Sequence, residues 1–401
     1  MRDKIVGESE QTLHQIANRH VWIIGTDHLP GGERARRQRD RARRCCGQHP
    51  RRGWVRASLS CWFGLRGLEQ KLIVIMIVSL LSACGGGGGG SSNAAAAPQP
   101  TAPAPSAGPT VTDGCETRDN IIEGNVLACT LNHDGLVREY LIFIPDSYRG
   151  DVPVPLLLYF HGYTGTANNA LRTIDFRSLA EQNTFILVVP QGTLLPGTGE
   201  PHWAVGGWSA SSTTDDVGFT DALLDRLAAD YVIDSARIYS TGMSNGGAMS
   251  YHLACQLSDR IAAIASVTGS FTRDVHAACN PMHATPIMHI HGTADTIVPF
   301  DGDNERLPID EIMDFWSQYN VCDIEPTTTP LDDTNGDGNS GDLITYSNCQ
   351  TGVEVQLYKM TGMGHTWPEL AEEDQFGRDE DISATQVVWQ FLSRFSLDGE
   401  G

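Results

Sequence analysis

The segment Ser240–Cys255 reads STGMSNGGAMSYHLAC, and residues 242–246 within it, GMSNG, have the pattern Gly-x-Ser-x-Gly. A strand-like segment, RIYSTG at 237–242, precedes the serine, and residues 245–257 have the composition of a helix. A serine on a sharp strand-to-helix turn is held in a tight backbone conformation, and small neighbours let the strand and the helix pass closely. Ser244 is therefore a candidate nucleophile, although the pattern alone also fits a simple small-residue bend.

Strand-like and helix-like segments alternate on both sides of this turn. One strand-like segment, at 137–145, alternates polar and apolar residues, and the others are mostly apolar runs, at 154–162, 185–192, 261–269, 285–292 and 353–360. The helix-like segments carry apolar residues at helical spacing, at 215–231, 310–320 and 384–395. Continuous apolar strands are typical of strands buried on both faces. The pattern therefore predicts a single α/β domain over residues 112–397, with a mostly parallel sheet and helices on both faces.

Candidate partners for the serine follow it in the chain. A serine hydroxyl is a weak nucleophile until a base removes its proton. His365, in TGMGHTWP at 361–368, lies in a glycine-flanked loop after a strand-like segment, where a surface-loop histidine is the alternative. Asp295, in MHIHGTADTIVPF at 288–300, also follows a buried strand, with Asp301 and Asp303 as competitors. We expect Ser244, Asp295 and His365 to act as nucleophile, acid and base.

A site for a developing oxyanion needs backbone N–H donors beside the nucleophile. One donor is expected from Asn245, the residue after the serine, and the other from Tyr163 in YFHGYTGTANN at 159–169. A simple turn at the His-Gly pair 161–162 is the alternative interpretation.

Aromatic side chains near these segments are candidate substrate contacts. PHWAVGGWSASS at 201–212 places Trp203 and Trp208 in a glycine-rich loop, and such rings can stack on a sugar or a phenolic group. His161 and Trp367 lie beside the expected oxyanion and base loops and are further tentative contacts. Packing in the core explains the tryptophans at least as well.

The set HGYTGTANN, DDVGF, RIYSTGMSNGGAMSYHLAC, HIHGTADTIVPF and GMGHTWP resembles the secreted esterases grouped with polyhydroxybutyrate depolymerases and feruloyl esterases. The resemblance covers roughly residues 115–395. It implies an α/β-hydrolase fold, the catalytic roles given above for Ser244, Asp295 and His365, and an oxyanion site at the amides near Tyr163 and Asn245. One departure is Tyr163, because depolymerases of this group often carry Cys after His-Gly.

The resemblance implies a serine esterase that forms an acyl-enzyme and needs no cofactor. Feruloyl or acetyl esters of plant or algal polysaccharide are the leading substrates, and a polyhydroxybutyrate-type polyester or its oligomers is the alternative. The sequence shows no separate polymer-binding domain. A peptidase or thioesterase, or a surface binding protein without turnover, are the remaining rivals. We expect a monomer.

The N-terminal third of the chain divides into three segments. Residues 1–70 are rich in arginine and patternless, and we interpret them as lying upstream of the true translation start. KLIVIMIVSLLSAC at 71–84 resembles a bacterial lipoprotein signal that ends at a lipidated Cys84, with a plain secretory signal as the alternative. Residues 85–111 are a Gly/Ala/Pro-rich linker. These features predict export and a lipid anchor in the cell envelope.

The charge of the chain is unevenly distributed. The segment through Cys84 holds 15 Lys and Arg and 7 Asp and Glu, so the remainder holds 13 and 42, a balance of −29. Nucleic acids and anionic membrane surfaces repel such a domain, and neither is an expected partner.

Six cysteines remain after Cys84, and an even number in an exported protein indicates disulfides. Six cysteines allow 15 connectivities. The sequential pairing closes short loops and is favoured: Cys115–Cys129, Cys255–Cys279 and Cys322–Cys349.

The segment DTNGDGNSGD at 333–342 resembles the start of a calcium loop. Asp333, Asn335 and Asp337 occupy its first, third and fifth positions, but the twelfth falls on Ile344 instead of Glu. A polar surface turn is therefore the favoured interpretation, with calcium as the weaker alternative.

Overall fold

The computed structural model describes residues 114–116, 125–334, 336, 340–369 and 381–400, which lie in one compact unit. The segments 1–70, 71–84 and 85–111, together with the lipidation candidate Cys84, lie outside the described residues. None of the helices in the described part is long and apolar enough to cross a membrane.

Fifteen strands and seven α-helices form in the described residues. The strands β1 to β15 are Cys115–Glu116, Val126–His133, Leu136–Phe143, Val154–Phe160, Ile186–Pro190, Thr193–Leu194, Pro201–His202, Ile233–Met243, Ala263–Val267, Ile287–Gly292, Thr327–Pro330, Gly341–Tyr346, Val355–Met360, Phe395–Ser396 and Gly399–Glu400. The helices α1 to α7 are Ala167–Thr173, Arg177–Asn183, Asp216–Asp230, Asn245–Gln256, Arg273–Ala277, Ile309–Tyr319 and Ala384–Leu392.

Eleven of these strands form one sheet, in the order β1-β2-β3-β5-β4-β8-β9-β10-β13-β12-β11. The six central strands, from β5 to β13, pair in parallel. The outer strands on both sides pair antiparallel. The parallel sheet expected from the sequence therefore corresponds to the centre of the observed eleven-stranded sheet. The antiparallel strands β2, β11 and β12 were not predicted from the sequence.

Alternate residues of the central strands face two separate apolar layers. In β4, Leu156, Leu158 and Phe160 pack into one layer together with residues of α3, α4 and α6. Leu157 and Tyr159 point into the other layer, which contains residues of α1, α2 and α7. All seven residues of β4 are buried, which explains its continuous apolar sequence.

The structure contains three disulfides, Cys115–Cys129, Cys255–Cys279 and Cys322–Cys349. This is the sequential pairing favoured from the sequence. The second bond joins the last turn of α4, which begins next to Ser244, to the segment that follows α5.

Candidate active site

Three of the predicted site residues follow central strands of the sheet. Ser244 follows β8, Asp295 lies three residues after β10, and His365 lies five residues after β13. Because β8, β10 and β13 all belong to the parallel group, their carboxyl ends meet at one edge of the sheet. Ligands of open α/β sheets bind at this edge.

Ser244 occupies the sharp turn between β8 and α4. Its backbone has φ 55° and ψ −117°, outside the usual regions for a residue with a side chain. Such a conformation costs of order 1–3 kcal/mol and persists only where the surroundings enforce it. The N–H of Ser244 donates to the carbonyl of Val267 at 2.8 Å. Although Ser244 is the N-cap of α4, its side chain makes no capping hydrogen bond, so the hydroxyl is not used by the helix.

The helix after Ser244 passes very close to the end of β4. A Cβ at Gly246 would lie 2.0 Å from the carbonyl oxygen of Phe160, which no side chain can tolerate. The second glycine of the Gly-x-Ser-x-Gly pattern is therefore required by this contact.

Asp295 and His365 are hydrogen-bonded to each other. The distance between His365 Nδ1 and Asp295 Oδ2 is 2.8 Å. Their two loops are also joined through the backbone, since the N–H of Ala294 donates to the carbonyl of Met363 at 3.0 Å. The N–H of Gly362 donates to the hydroxyl of Thr293 at 2.9 Å. The geometry of the pair is thus fixed by both loops.

The carboxylate of Asp295 is buried but well supplied with donors. Its Oδ1 accepts from the N–H groups of Ile297 and Val298, at 2.9 and 2.8 Å. Burial by itself raises the pKa of Asp295. The hydrogen bond to His365, the charge interaction with His365 and the hydrogen bond from the Val298 N–H together outweigh burial, so the pKa lies below its usual value. The group is ionised at neutral pH and can stabilise an imidazolium.

Asp301 and Asp303, the alternative candidates for the acid, have different environments from Asp295. Asp303 Oδ2 lies 3.1 Å from Nε of Arg306, and Asp301 is exposed. Ser244 and His365 share no hydrogen bond within the described residues.

The two expected oxyanion donors lie near Ser244. A Cβ at Gly162, the residue before Tyr163, would lie 3.5 Å from Cβ of Ser244. Within residues 125–334, the N–H groups of Tyr163 and Asn245 have no protein acceptor. The side chain of Asn245 also bonds the backbone of Trp203 twice, accepting from its N–H at 2.7 Å and donating to its carbonyl at 3.1 Å.

His161 is not a substrate contact, contrary to the prediction. It is 1% exposed, and its Nε2 accepts from the N–H of Gly192 at 2.9 Å. Its Nδ1 lies 2.8 Å from the carbonyl of Gly162 and donates to it. Burial, opposed by the hydrogen bond to Gly162 and supported by the charge interaction with His202, lowers the pKa of His161 to about 4. His161 is a neutral ring that braces the loop after β4.

Trp203 and Trp367 are also excluded as substrate contacts, because both are 0% exposed. The Trp203 ring packs edge-on against Phe160 at 5.0 Å and donates from Nε1 to the carbonyl of His161. Trp367 packs against Tyr159 and Phe176 in the opposite layer. Their positions in glycine-rich loops did not reveal this burial.

Trp208 does lie at the site, beside Ser244. A cleft of about 180 Å³ is lined by Ser244, Asn245 and Ala248 on the helix side, and by Tyr163, Trp208, Ser270, Ile297, Val298 and Arg306. The Trp208 and Tyr163 rings meet edge-on at 5.1 Å and form an aromatic wall. Ser270 and Arg306 were missed from the sequence. Ser270 follows a predicted strand and was recognisable as a candidate, whereas no local pattern distinguishes Arg306.

No group of three or more His, Cys, Asp or Glu residues that could hold a metal occurs in the described residues. Asp333 is used within a turn, where its Oδ1 accepts from the N–H of Gly336 at 2.7 Å. Asn335 and Asp337 lie outside the described residues, so the calcium alternative stays a prediction.

The sheet order and the strand-end site agree with a comparison of the sequence with known families. Residues 150–305 match the model of the Phospholipase/Carboxylesterase family. The domain has the α/β-hydrolase fold.

Curated proteins similar to this chain include three esterases. It is 27% identical over 265 residues to a bifunctional acetylxylan esterase/xylanase from Neocallimastix patriciarum, covering 66% of this chain and 34% of the relative. It is 28% identical to feruloyl esterase B from Piromyces equi, covering 65% of this chain and 46% of the relative. It is 25% identical to feruloyl esterase D from Neurospora crassa, covering 75% and 93%. The chain thus spans less than half the length of the first two relatives.

Proposed function

We propose that the domain is a serine carboxylic ester hydrolase. The observation that carries the proposal is the 2.8 Å bond between His365 and the ionised Asp295 at the sheet edge where Ser244 sits on its strained turn. The relatives support the same chemistry, because all three are named as esterases.

In the proposed mechanism, Ser244 Oγ attacks the ester carbonyl while His365 Nε2 takes its proton. Asp295 stabilises the imidazolium through His365 Nδ1. The N–H groups of Tyr163 and Asn245 donate to the oxyanion. His365 then returns the proton to the leaving alcohol, and an acyl-enzyme remains. Water, deprotonated by His365, attacks the acyl carbonyl, and His365 returns that proton to Ser244 Oγ as the acyl bond breaks and the acid leaves.

The proposed substrates are feruloyl or acetyl esters on plant or algal polysaccharide. The names of the relatives support these acyl groups. The aromatic wall of Tyr163 and Trp208 beside Ser244 supports a flat phenolic acyl group, since rings pack well edge-on or offset at such distances.

The mechanism is tested with Ser244→Ala and a fluorophosphonate probe. We expect wild type to be labelled at Ser244 and to release ferulate or acetate, and Ser244→Ala to lose at least about 10³-fold in kcat. Ser211→Ala is the matched control, because Ser211 is exposed and outside the cleft. Full activity of Ser244→Ala would overturn the mechanism, and an unlabelled, inactive wild type would favour a binding protein.

The substrate is tested by comparing methyl ferulate, acetylated xylan and hydroxybutyrate oligomers as substrates of the same preparation. We expect the highest kcat/KM on one of the first two. Preferential release of hydroxybutyrate would instead assign a polyester or its oligomers.

We further propose that the protein is exported and anchored by lipid at Cys84. The apolar segment 71–84 and the linker 85–111 support this, although both lie outside the described residues. Cells fed an alkyne-labelled fatty acid should label wild type but not Cys84→Ser. Equal labelling of both would exclude this anchor.

A further inference from the structure

A line of buried hydrogen-bonding groups runs from helix α4 through strand β10 to the acid loop. The hydroxyl of Tyr251 lies 2.7 Å from His289 Nδ1. His289 Nε2 lies 2.9 Å from His291 Nδ1, and His291 Nε2 lies 2.8 Å from the carbonyl oxygen of Val298. Tyr251, His289 and His291 are each 0% exposed. None of them has a part in the mechanism above.

The direction of every hydrogen bond in this line follows from its last member. The carbonyl of Val298 can only accept, so His291 Nε2 donates and, in a neutral ring, His291 Nδ1 accepts. His289 Nε2 is then the donor, and His289 Nδ1 accepts from Tyr251. Burial lowers the pKa of His289 well below its usual value and lowers that of His291 to about 4. Burial also raises the pKa of Tyr251 well above 10, so its hydroxyl stays a donor.

The line ends on the acid of the proposed active site. His291 Nε2 lies 3.4 Å from Asp295 Oδ2, the same oxygen that bonds His365. Val298, whose carbonyl accepts from His291, also donates its N–H to Asp295 Oδ1 at 2.8 Å. His291, Val298 and Asp295 therefore form a closed ring of contacts. Val298 of this ring and its neighbour Ile297 line the cleft beside Ser244.

We propose that His291 is a positioning residue, held in one tautomer by His289 and Tyr251, that fixes the carboxylate of Asp295 and the cleft wall at Ile297 and Val298. This inference rests on the proposed function, since it assigns Asp295 the role of the acid. The N–H of the neutral His291 ring is donated to the carbonyl of Val298, whose own N–H holds Asp295 Oδ1, so the carboxylate is oriented without its charge being cancelled. A cation there would compete with His365 for the same oxygen.

The test compares His291→Leu, which removes both nitrogens, with His291→Gln, whose amide can keep a donor near Nε2. With p-nitrophenyl acetate we expect His291→Leu to lower kcat by about 10- to 100-fold and to change KM by less than about 3-fold. The kcat of His291→Gln should be at least about 5-fold higher than that of His291→Leu. Tyr251→Phe should lower kcat less than His291→Leu does, because it removes only the far end of the line.

The matched control is His283→Leu. The ring nitrogens of His283 lie 2.7 and 2.6 Å from the carbonyl oxygens of Ala284 and Ser258, so this ring also contacts the backbone. His283 precedes β10, at the opposite end of that strand from Asp295. It should keep wild-type kcat. A His291→Leu variant that folds and retains kcat within about 3-fold of wild type would overturn the inference, as would a failure of His291→Gln to rescue.

A measurement on wild type keeps the inference testable if His291→Leu does not fold. In spectra of ¹⁵N-histidine-labelled protein, His289 and His291 should both appear as neutral rings protonated at Nε2 at pH 6. Protonation of His291 at Nδ1 would overturn the inference. Failure of the proposed function looks different, because wild type would then neither react with the fluorophosphonate nor hydrolyse the ester.

Discussion

Two histidines in this molecule look alike in sequence and differ in the structure. His161 precedes a glycine at the end of β4, and His365 follows a glycine in the loop after β13. The His161 ring is 1% exposed and both nitrogens are bonded to backbone groups. The side chain of His365 is 12% exposed, and its Nδ1 is bonded to a carboxylate. The neighbouring glycine therefore does not distinguish the two roles. A histidine that supports a loop and a candidate base are distinguished by the hydrogen-bond partners of their ring nitrogens.

The largest expected effect is the loss of activity in His365→Phe. Without a base, the hydroxyl of Ser244 is not activated, and kcat/KM should fall by about 10³- to 10⁵-fold. The thermal midpoint should stay within a few degrees of wild type, since His365 is partly exposed. Steady-state kinetics and a thermal melt of the same sample check this. If kcat/KM fell less than about 10-fold, His365 would not be the base.

The same substitution at the other histidine should affect mainly stability. His161→Phe keeps a ring but leaves the N–H of Gly192 and the carbonyl of Gly162 without their partner, which costs about 3 kcal/mol of unfolding free energy. Denaturant unfolding measures the change. Folded His161→Phe should keep kcat within about 10-fold of wild type. A stable variant with a 10³-fold lower kcat would instead make His161 part of the chemistry.

The pH dependence of stability should sharpen the contrast. The pKa of His161 is about 4 in the folded state and near 6.5 in the unfolded chain, so between these values only the unfolded state binds the proton. Stability from the neutral ring is therefore present above pH 6.5 and is lost as the pH falls towards 4. The destabilisation caused by His161→Phe at pH 7 should shrink by about 2 kcal/mol at pH 4.5. A pH-independent difference would contradict the assignment of a neutral ring.

The smallest expected effect concerns the aromatic wall of the cleft, which Tyr163 in the loop after β4 forms with Trp208 in the segment after β7. Trp208→Ala removes the partner of Tyr163 and should raise KM for methyl ferulate about 3- to 10-fold. KM for p-nitrophenyl acetate should change less than about 2-fold. Leu194→Ala is the control, because Leu194 is an exposed apolar residue outside the cleft. Equal KM changes for the two esters would argue against aromatic recognition by this wall.

Local sequence patterns predict strand ends well, and this is why the candidate residues Ser244, Asp295 and His365 could be chosen. Each follows a strand-like segment, and parallel packing brings the ends of such segments to one edge. The antiparallel strand β2 was missed because its sequence VLACTLNH mixes polar residues into the apolar run, although it forms a hairpin with the adjacent strand β3. The burial of Trp203 depends on a residue that is distant in sequence, Asn245, 42 residues further along the chain.

The disulfide connectivity has a consequence for how the chain can be oxidised. Within the domain each cysteine is bonded to the next one in sequence, and no bond encloses or crosses another. When a chain enters an oxidising compartment with its N-terminus first, each cysteine that arrives second finds its native partner as the single unpaired thiol of the domain already there. Vectorial delivery alone therefore selects one connectivity out of fifteen. Such a protein needs an oxidant and makes little demand on a disulfide isomerase.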